Sequence, residues 1–512
     1  MSFLQTIKSA LNRGGASAKA RSRGQKFRVP QRGEPVRARG YFAAADAGRF
    51  SKTWSASHLP IDRAITQDWE TVSARAQEAV LNNAHAASFA KMARDNIAGP
   101  NGFILQPQIT DDDGRPDKAA NTAVFDAWER WCFPAHASVS GRDSFAELCA
   151  LAVSSWTVYG EAVFILRRGA QASPWGFALQ NVDPRRLWTG MNRELRDGNF
   201  IKNGIEFTPL GRPTAYYFRR PLSKVESGTF SYGDFDRVPA ADVVHVFRRE
   251  LPGQVRGISP LATVLSDIHH ADKLDRSMLA RANIASNTLG FVTNQDANPE
   301  SDITERESEA GTLIDLGAKE FVQSGIDYPD ASYDVFQKAI LRRIASGLGV
   351  SYNNLASDLT SVNFSSIRQG LLNERAAWET LQQTFILQFA LPVFRAWLEH
   401  ALLAKKILSA RGVPLPAEKL EKFSSVKFVG RRWTWIDPVS DMTAAEKALA
   451  MKIKSRSKII RELGGDPWTE WSEISEENAE MEALGLNPEF VPAGATNVAG
   501  KAKAPEKTET EE

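Results

Sequence analysis

Apolar residues recur at Leu261, Val264, Leu265, Ile268, Leu274, Met278 and Leu279, with Asp267, Asp272, Lys273, Asp275, Arg276 and Arg281 filling the faces between them. This spacing predicts a helix. Ser259 is placed to cap it and Pro260 to open it, where a missing N–H costs nothing. Nothing breaks the pattern until Gly290, so the helix runs from Pro260 to about Thr288, roughly 43 Å at 1.5 Å per residue. Its apolar stripe is narrow for a deeply buried helix. Two uses fit: a surface helix across a large domain, or a helix packed beside copies of itself in an oligomer wall.

The same reading divides the rest of the chain. Ile61 to Ala98 is helical, and Phe103 to Ile109 reads as a strand. Asp111-Asp112-Asp113-Gly114 lacks the alternation and closing Glu of a calcium loop and reads as a turn. Asn121 to Phe133 is an aromatic-rich helix, and Asp143 to Tyr159 another, with Asp143 as its cap. From Glu161 to Glu250 the text is strand and turn: Phe177–Gln180, Arg186–Trp188, Ile205–Phe207, Ala215–Phe218, Val243–Phe247. Val335 to Leu348 is a helix, and 351–366 is polar and loop-like. A long helix then runs from Asn363 toward Leu408, with Phe364, Ile367, Leu371, Leu372, Trp378, Leu381, Phe385, Ile386 and Phe389 on its buried face. Pro392 predicts a kink or break within it. Lys427 to Trp435 reads as a strand, Thr443–Glu446 as a capping box, and Lys458 to Leu463 as a helix stopped by Gly464-Gly465. The fold class is α+β.

Several words of this sequence, in order, resemble the lambda-type portal family of tailed bacteriophages. They are Arg37-Ala38-Arg39-Gly40-Tyr41 with Trp54, the stretch from Arg75 to Asn82-Asn83, Tyr159-Gly160-Glu161, His245-Val246-Phe247, Pro252-Gly253-Gln254-Val255-Arg256-Gly257, Ser259-Pro260-Leu261, Trp433 to Pro438 and Gly464-Gly465-Asp466-Pro467. The likeness covers roughly 37 to 485. It departs at Arg75, followed here by Ala76 and Gln77 where the family repeats arginine.

The resemblance implies a portal fold: long stem helices, a small β-rich clip insert, a wing, a long kinked helix and a C-terminal helical crown. Its parts fall at 1–40 (basic disordered arm), 41–142 (N-terminal wing part), 143–160 (first stem helix), 161–250 (clip) and 256–289 (second stem helix). They continue at 290–350 (wing with an acidic block), 351–366 (tunnel loop), 363–408 (kinked helix), 420–437 (wing strand), 438–490 (crown) and 491–512 (disordered tail). It further implies a head–tail connector, a homo-oligomeric ring of about twelve copies at one capsid vertex of the virion, assembled in the host cytoplasm. Double-stranded DNA passes through such a ring during genome packaging and ejection. Terminase large subunit, major capsid protein and head–tail adaptor proteins are the implied partners. Asn353, Asn354, Thr360, Asn363, Ser365, Ser366 and Arg368 would face DNA. Leu261, Leu265, Ile268, Lys273, Arg276 and Arg281 would meet neighbouring copies along the stem.

Charge agrees with a conduit rather than a grip. The net charge of +2 hides ten Lys or Arg against Glu34 in 1–40, and ten Asp or Glu against Arg306 and Lys319 in 291–330. A protein that holds DNA through its phosphates needs a cation surplus. Hydroxyls and amides make weaker, sequence-blind phosphate contacts that let a duplex slide.

No enzyme constellation is present: no P-loop, no G-x-G-x-x-G after a strand, no H-E-x-x-H, no G-x-S-x-G. Cys132, Cys149 and His136 fall short of the roughly four ligands a zinc site needs. Adjacent His269 and His270 point about 100° apart on a helix. Catalytic residues, metal and cofactors are therefore expected to be none. Two thiols imply no disulfide framework, and no apolar run can span a membrane. The competing reading is a nuclease-type DNA-processing enzyme with a basic N-terminal arm, which rests on 1–40 alone.

Overall fold

The computed structural model describes residues 59–223, 229–287, 290–294, 319–323, 331–360, 363–433 and 435–486. The basic arm, Arg37–Tyr41, Trp54, most of the acidic block and the C-terminal tail lie outside them. The architecture is α+β: among the described residues, helices gather round one aromatic core, with four antiparallel sheets.

The helical pattern of 61–98 is two helices, α1 (Ile61–Asn82) and α2 (Ala84–Ile97). They part at Asn83, whose extended backbone lets its side chain accept from the His85 and Ala86 N–H groups. That is the geometry of an N-cap, and it outweighs apolar continuity. Strand β1 (Ile104–Pro107) pairs with β12 (Val426–Val429). Between them in sequence, Asp111–Gly114 is a turn, with Gly114 N–H donating to the Asp111 carbonyl and Lys422 Nζ reaching Asp111 at 2.8 Å. Helix α3 (Lys118–Cys132) starts from an Asp117 cap. Helix α4 (Phe145–Tyr159) is capped by Ser144 and not by Asp143: Ser144 and Glu147 form a reciprocal capping box, while Asp143 accepts from Ser138 and Ser140.

The strand-rich stretch 161–250 forms two separate sheets. Strands β2 (Glu161–Arg168), β3 (Phe177–Val182) and β9 (Val243–Phe247) make one, with β2 in the middle. A five-stranded meander makes the other: β4 (Arg193–Glu194), β5 (Phe200–Lys202), β6 (Ile205–Phe207), β7 (Pro213–Pro221) and β8 (Phe230–Pro239). Arg186–Trp188 is no strand of its own; Pro184–Arg186 is a 3₁₀ turn and Leu187 only bridges Phe218. The period-2 alternation of β2 explains its place. Phe164 and Leu166 enter the helical core, while Val163 and Ile165 pack with Val182, Leu187, Ile205, Tyr216 and Phe218 in a second, smaller core.

After a 3₁₀ turn at Pro260–Thr263 comes α5 (Leu265–Asn287). Strands β10 (Gly290–Asn294) and β11 (Lys319–Gln323) pair, and α6 (Ala331–Leu348) and α7 (Tyr352–Ala356) follow. The long helix is α8 (Phe364–Phe385), a wide π turn (Ile386–Ala390) and α9 (Leu391–Leu403), one continuous run that stops before Leu408. Pro392 causes the π turn. Proline lacks an N–H and its ring crowds the carbonyl four residues back, and widening the turn relieves both faults without breaking the helix. Leu391 N–H accordingly donates to Ile386, five residues back. Its aromatics meet α3 at the centre, where Trp128 lies edge-to-face on Phe145 and Trp397 at 5.0 Å each. Each such pair adds about 0.5–1.5 kcal/mol beyond area burial.

The strand read at 427–435 ends at Val429, because Gly430 packs against Gln382, whose amide donates to the Asn96 and Arg431 carbonyls. Helix α10 (Pro438–Ala450) begins earlier than its Thr443, from an Asp437 cap; Thr443 is interior. Helices α11 (Arg456–Leu463), closed by Gly464 at φ +98°, and α12 (Pro467–Ala483) complete the described chain.

At the joint of these parts, Glu161 and Arg256 are both fully buried. Arg256 Nε donates to Glu161 Oε1 and Oε2 at 2.9 and 2.8 Å, and its Nη atoms donate to the Leu187, Asn203 and Pro184 carbonyls. Glu161 also accepts from Gly257 N–H at 3.0 Å and meets His245 Nε2 at 3.0 Å. Trp69 lies under the guanidinium at 5.0 Å and donates its indole N–H to the Gly257 carbonyl. Burial alone raises the Glu161 carboxyl, but Arg256 and then His245 outweigh it and draw it down to about 2. Breaking a buried pair leaves an uncompensated charge, so Arg256→Met is expected to cost about 3–5 kcal/mol in urea unfolding. Because the folded carboxyl titrates below its unfolded value, its contribution is complete above the ordinary carboxylate pKa and is lost as pH falls toward 2. The thermal midpoint of the wild-type chain should drop across that window.

Candidate nucleic-acid and subunit interfaces

The polar stretch 351–366 is more ordered than its composition suggests. Ser351 caps α7 by accepting from Asn354 N–H, and Ser357 closes it in the left-handed region at φ 54°. Asn354 Nδ2 donates to Glu374 Oε2 at 2.8 Å, and Ser351 N–H donates to the same oxygen at 3.2 Å. Glu374, only 7% exposed, also accepts from Trp378 Nε1. Asp358 accepts from Thr360 N–H and Oγ and from the Tyr352 hydroxyl; Thr360 foremost draws its carboxyl down to about 2.

The seven residues expected to face DNA therefore divide. Thr360 and Asn363 are exposed, and Asn353 is half-buried. Asn354 is committed to Glu374, and Arg368 pairs with Asp441 at 3.0 Å. Ser365 and Ser366 sit in the first turn of α8, and their side chains lie outside the described residues. The loop reading is corrected: 352–356 is a helix and α8 has begun by Phe364, because Glu374, twenty residues on, supplies the hydrogen bonds that the local sequence lacks.

Along the second long helix, Ser259 Oγ accepts from Leu261 N–H and donates to the Thr157 carbonyl at 2.7 Å, tying this entry to α4. Leu261 and Ile268 are buried in the chain's own core, and Leu265 packs against it. Leu261 and Ile268 are spent within the chain, while Leu265 stays half-buried at the edge of the core. Helix α6 covers the same side, with Arg343 on Asp267, and Tyr333 and Gln337 on Asp275. The outer face carries exposed Lys273, Arg276 paired with Asp272 at 2.9 Å, and Leu279 at 63% exposure; Arg281 is half-buried.

Sequence reasoning missed Glu374 and the Glu161–Arg256 pair as organising groups. The second was present in the quoted words Tyr159-Gly160-Glu161 and Val255-Arg256-Gly257, but nothing local says that they touch. Burial pushes the Cys149 thiol up to about 12 and Cys132 well above its ordinary value, so neither is a thiolate at neutral pH. His269 and His270 are exposed with ring centroids 5.8 Å apart. Among the described residues no group of His, Cys, Asp or Glu is placed to hold a metal ion, and no helix is long and apolar enough to cross a membrane.

Residues 47–382 match the family described as phage portal protein, lambda family. A relative named probable portal protein, from Halomonas phage phiHAP-1, is 29% identical over 475 residues, covering 90% of each chain. Portal protein B of Escherichia phage lambda is 22% identical over 491 residues, covering 85% of this chain and 89% of its own. Among solved structures, a chain from the neck of the native gene transfer agent particle, computed with C12 symmetry, is similar at a TM-score of 0.43 and 13% identity, covering 78% of this chain and 94% of that one.

Removing the buried acceptor at Glu374 strands three donors. Glu374→Ala is expected to cost about 1–3 kcal/mol and to speed amide exchange across 351–356, while exchange in α3 and α4 stays slow.

Proposed function

The chain belongs to the lambda family of phage portal proteins, and from that premise we propose that it closes with copies of itself into a ring at one capsid vertex, through which double-stranded DNA is packaged and ejected. Proteins of this family are structural, and the chain is not an enzyme; the nuclease reading falls with that. The observation that carries the proposal is the family match across most of the chain, joined by relatives named portal proteins over nine-tenths of its length. Ring closure of identical chains is heterologous, each copy offering two different faces. Helices α4 and α5 are the stem pair, and the outer face of α5 is the one a neighbour meets. The sheets between them are the clip, α8–α9 is the kinked helix, and α10–α12 form the crown.

Near-neutral charge with exposed polar side chains at Thr360, its hydroxyl already donating to Asp358, and at Asn363 suits transient phosphate contact, because a denser cation surface would hold the duplex. Terminase large subunit and head–tail adaptor proteins dock in turn at the outer end, with major capsid protein around the ring. The protein assembles in the host cytoplasm and ends at the portal vertex of the virion.

Light scattering on a sizing column with negative-stain images tests the ring directly. Assemblies of about twelve chains with a hole wide enough for a duplex are expected, whereas a compact monomer that cleaves plasmid DNA would end the reading. Thr360→Lys with Asn363→Lys should leave rings intact and slow packaging at low salt. Unchanged packaging would remove these residues from the DNA-facing surface.

A further inference from the structure

We infer that the last helix of the described chain is one half of an electrostatic contact between copies, and that its other half is the basic segment just before it, on the next copy. The inference rests on the ring proposed above. Helix α12 is a poor structure by itself. All residues from Trp471 to Glu480 are exposed, so the described residues give that run little cover. From Asp466 to Ala483 the sequence has seven Asp or Glu and no Lys or Arg. Glu470, Glu473, Glu477 and Glu480 follow the 3,4,3 spacing that places them on one face. Glu473 and Glu477, and Glu476 and Glu480, stand one turn apart, a like-charge spacing that weakens a helix. Glu480 and Glu482 lie near the C-terminal end, where the helix dipole favours cations, and no basic residue is there. A 17-residue helix with these faults gains little stability of its own in water and depends on packing against a partner.

The complement lies on the same chain. From Lys447 to Arg461 there are six Lys or Arg and no Asp or Glu. Lys447, Lys452, Arg456 and Lys458 are exposed. Among the described residues no ion pair joins this segment to the glutamates of α12; Lys454 pairs instead with Glu462, before the turn. Both faces also expose apolar side chains: Met451 and Ile453, each 70% exposed, on the basic side, and Ile474 at 49% and Leu484 at 75% on the acidic side. One face therefore carries what the other needs in both charge and apolar area. A head-to-tail arrangement repeats this contact around a ring, because every copy owns one of each face. The occupant is therefore a second copy of this chain.

Two charge-reversed proteins test it: Glu473→Lys, Glu477→Lys and Glu480→Lys in one, and Lys452→Glu, Arg456→Glu and Lys458→Glu in the other. Assembled mass is read by light scattering, with circular dichroism and thermal midpoint confirming that each variant is folded. Each variant alone now has two like-charged faces and should lose the wild-type assembly. Mixed in equal amounts, they should recover it, since every contact in an alternating ring again joins opposite charges. Recovery on mixing also separates contact between chains from pairing within one. If each folded variant assembles alone as the wild type does, or if the folded pair fails to recover on mixing, this contact is wrong and the ring reading stands. If the wild-type chain itself never assembles, both fall together.

Discussion

The buried ion pair of Glu161 with Arg256 is the constraint on which the arrangement of the other parts depends. Taking both charges out of water costs several kcal/mol per ion, and only full hydrogen bonding and close geometry recover it. The chain meets that demand with groups drawn from every neighbouring element. The 3₁₀ turn and its cap residue give the Pro184 and Leu187 carbonyls, the meander gives Asn203, β9 gives His245, and α1 gives the face of Trp69. None of these can shift by one residue without stranding a charge. A pair of this kind adds little net stability over well-packed apolar residues, but it selects one relative placement of helical core, three-stranded sheet and meander. Asp62 repeats the device a short way off, accepting from Val255 N–H and pairing with Lys202.

The glycines beside the pair show why its two words are joined. Gly160 adopts φ +79°, and a Cβ there would sit 2.0 Å from the Ile258 carbonyl carbon; a Cβ on Gly257 would sit 2.0 Å from the Gly160 carbonyl oxygen. Two backbones cross with no room for a side chain on either. Gly160 ends α4 and starts β2, while Gly257 leads into Ser259 and α5. The crossing therefore fixes how the two long helices enter and leave the sheets between them. The words that carry the family resemblance do mechanical work here.

What the sequence made legible follows locality. The Ser259-Pro260 start and the Gly464 stop were readable because cap and capped groups lie within four residues. Ser144 displaced Asp143 by a single position, since only Ser144 can complete a box with Glu147. The errors that matter came from distance. The stretch 351–366 read as a loop because its hydrogen-bond acceptor, Glu374, lies on the next helix. The strand at 427 stopped early because Gln382 of α8 claims the backbone beyond Val429. The insert 161–250 read as one region because the unbroken apolar run of β2, Ala162 to Leu166, says that both faces are buried but not that they serve different cores. Of the candidate site, residue types were legible and partners were not: Asn354 and Arg368 look free in sequence and are engaged in the fold.

The same logic explains how the π turn of the long helix is held at a fixed place. Pro392 alone would permit a kink of any size. The π turn before it directs the Gln388 side chain to the sheet, where its Oε1 accepts from Phe247 N–H at 2.9 Å. Phe389 from the same turn packs on Phe164 of β2 and stacks with Phe145 of α4. The π turn is thus anchored to β9, β2 and α4, the elements that converge on Glu161. Movement of the long helix about Pro392 would have to unseat Phe389 and leave the Phe247 N–H without its acceptor.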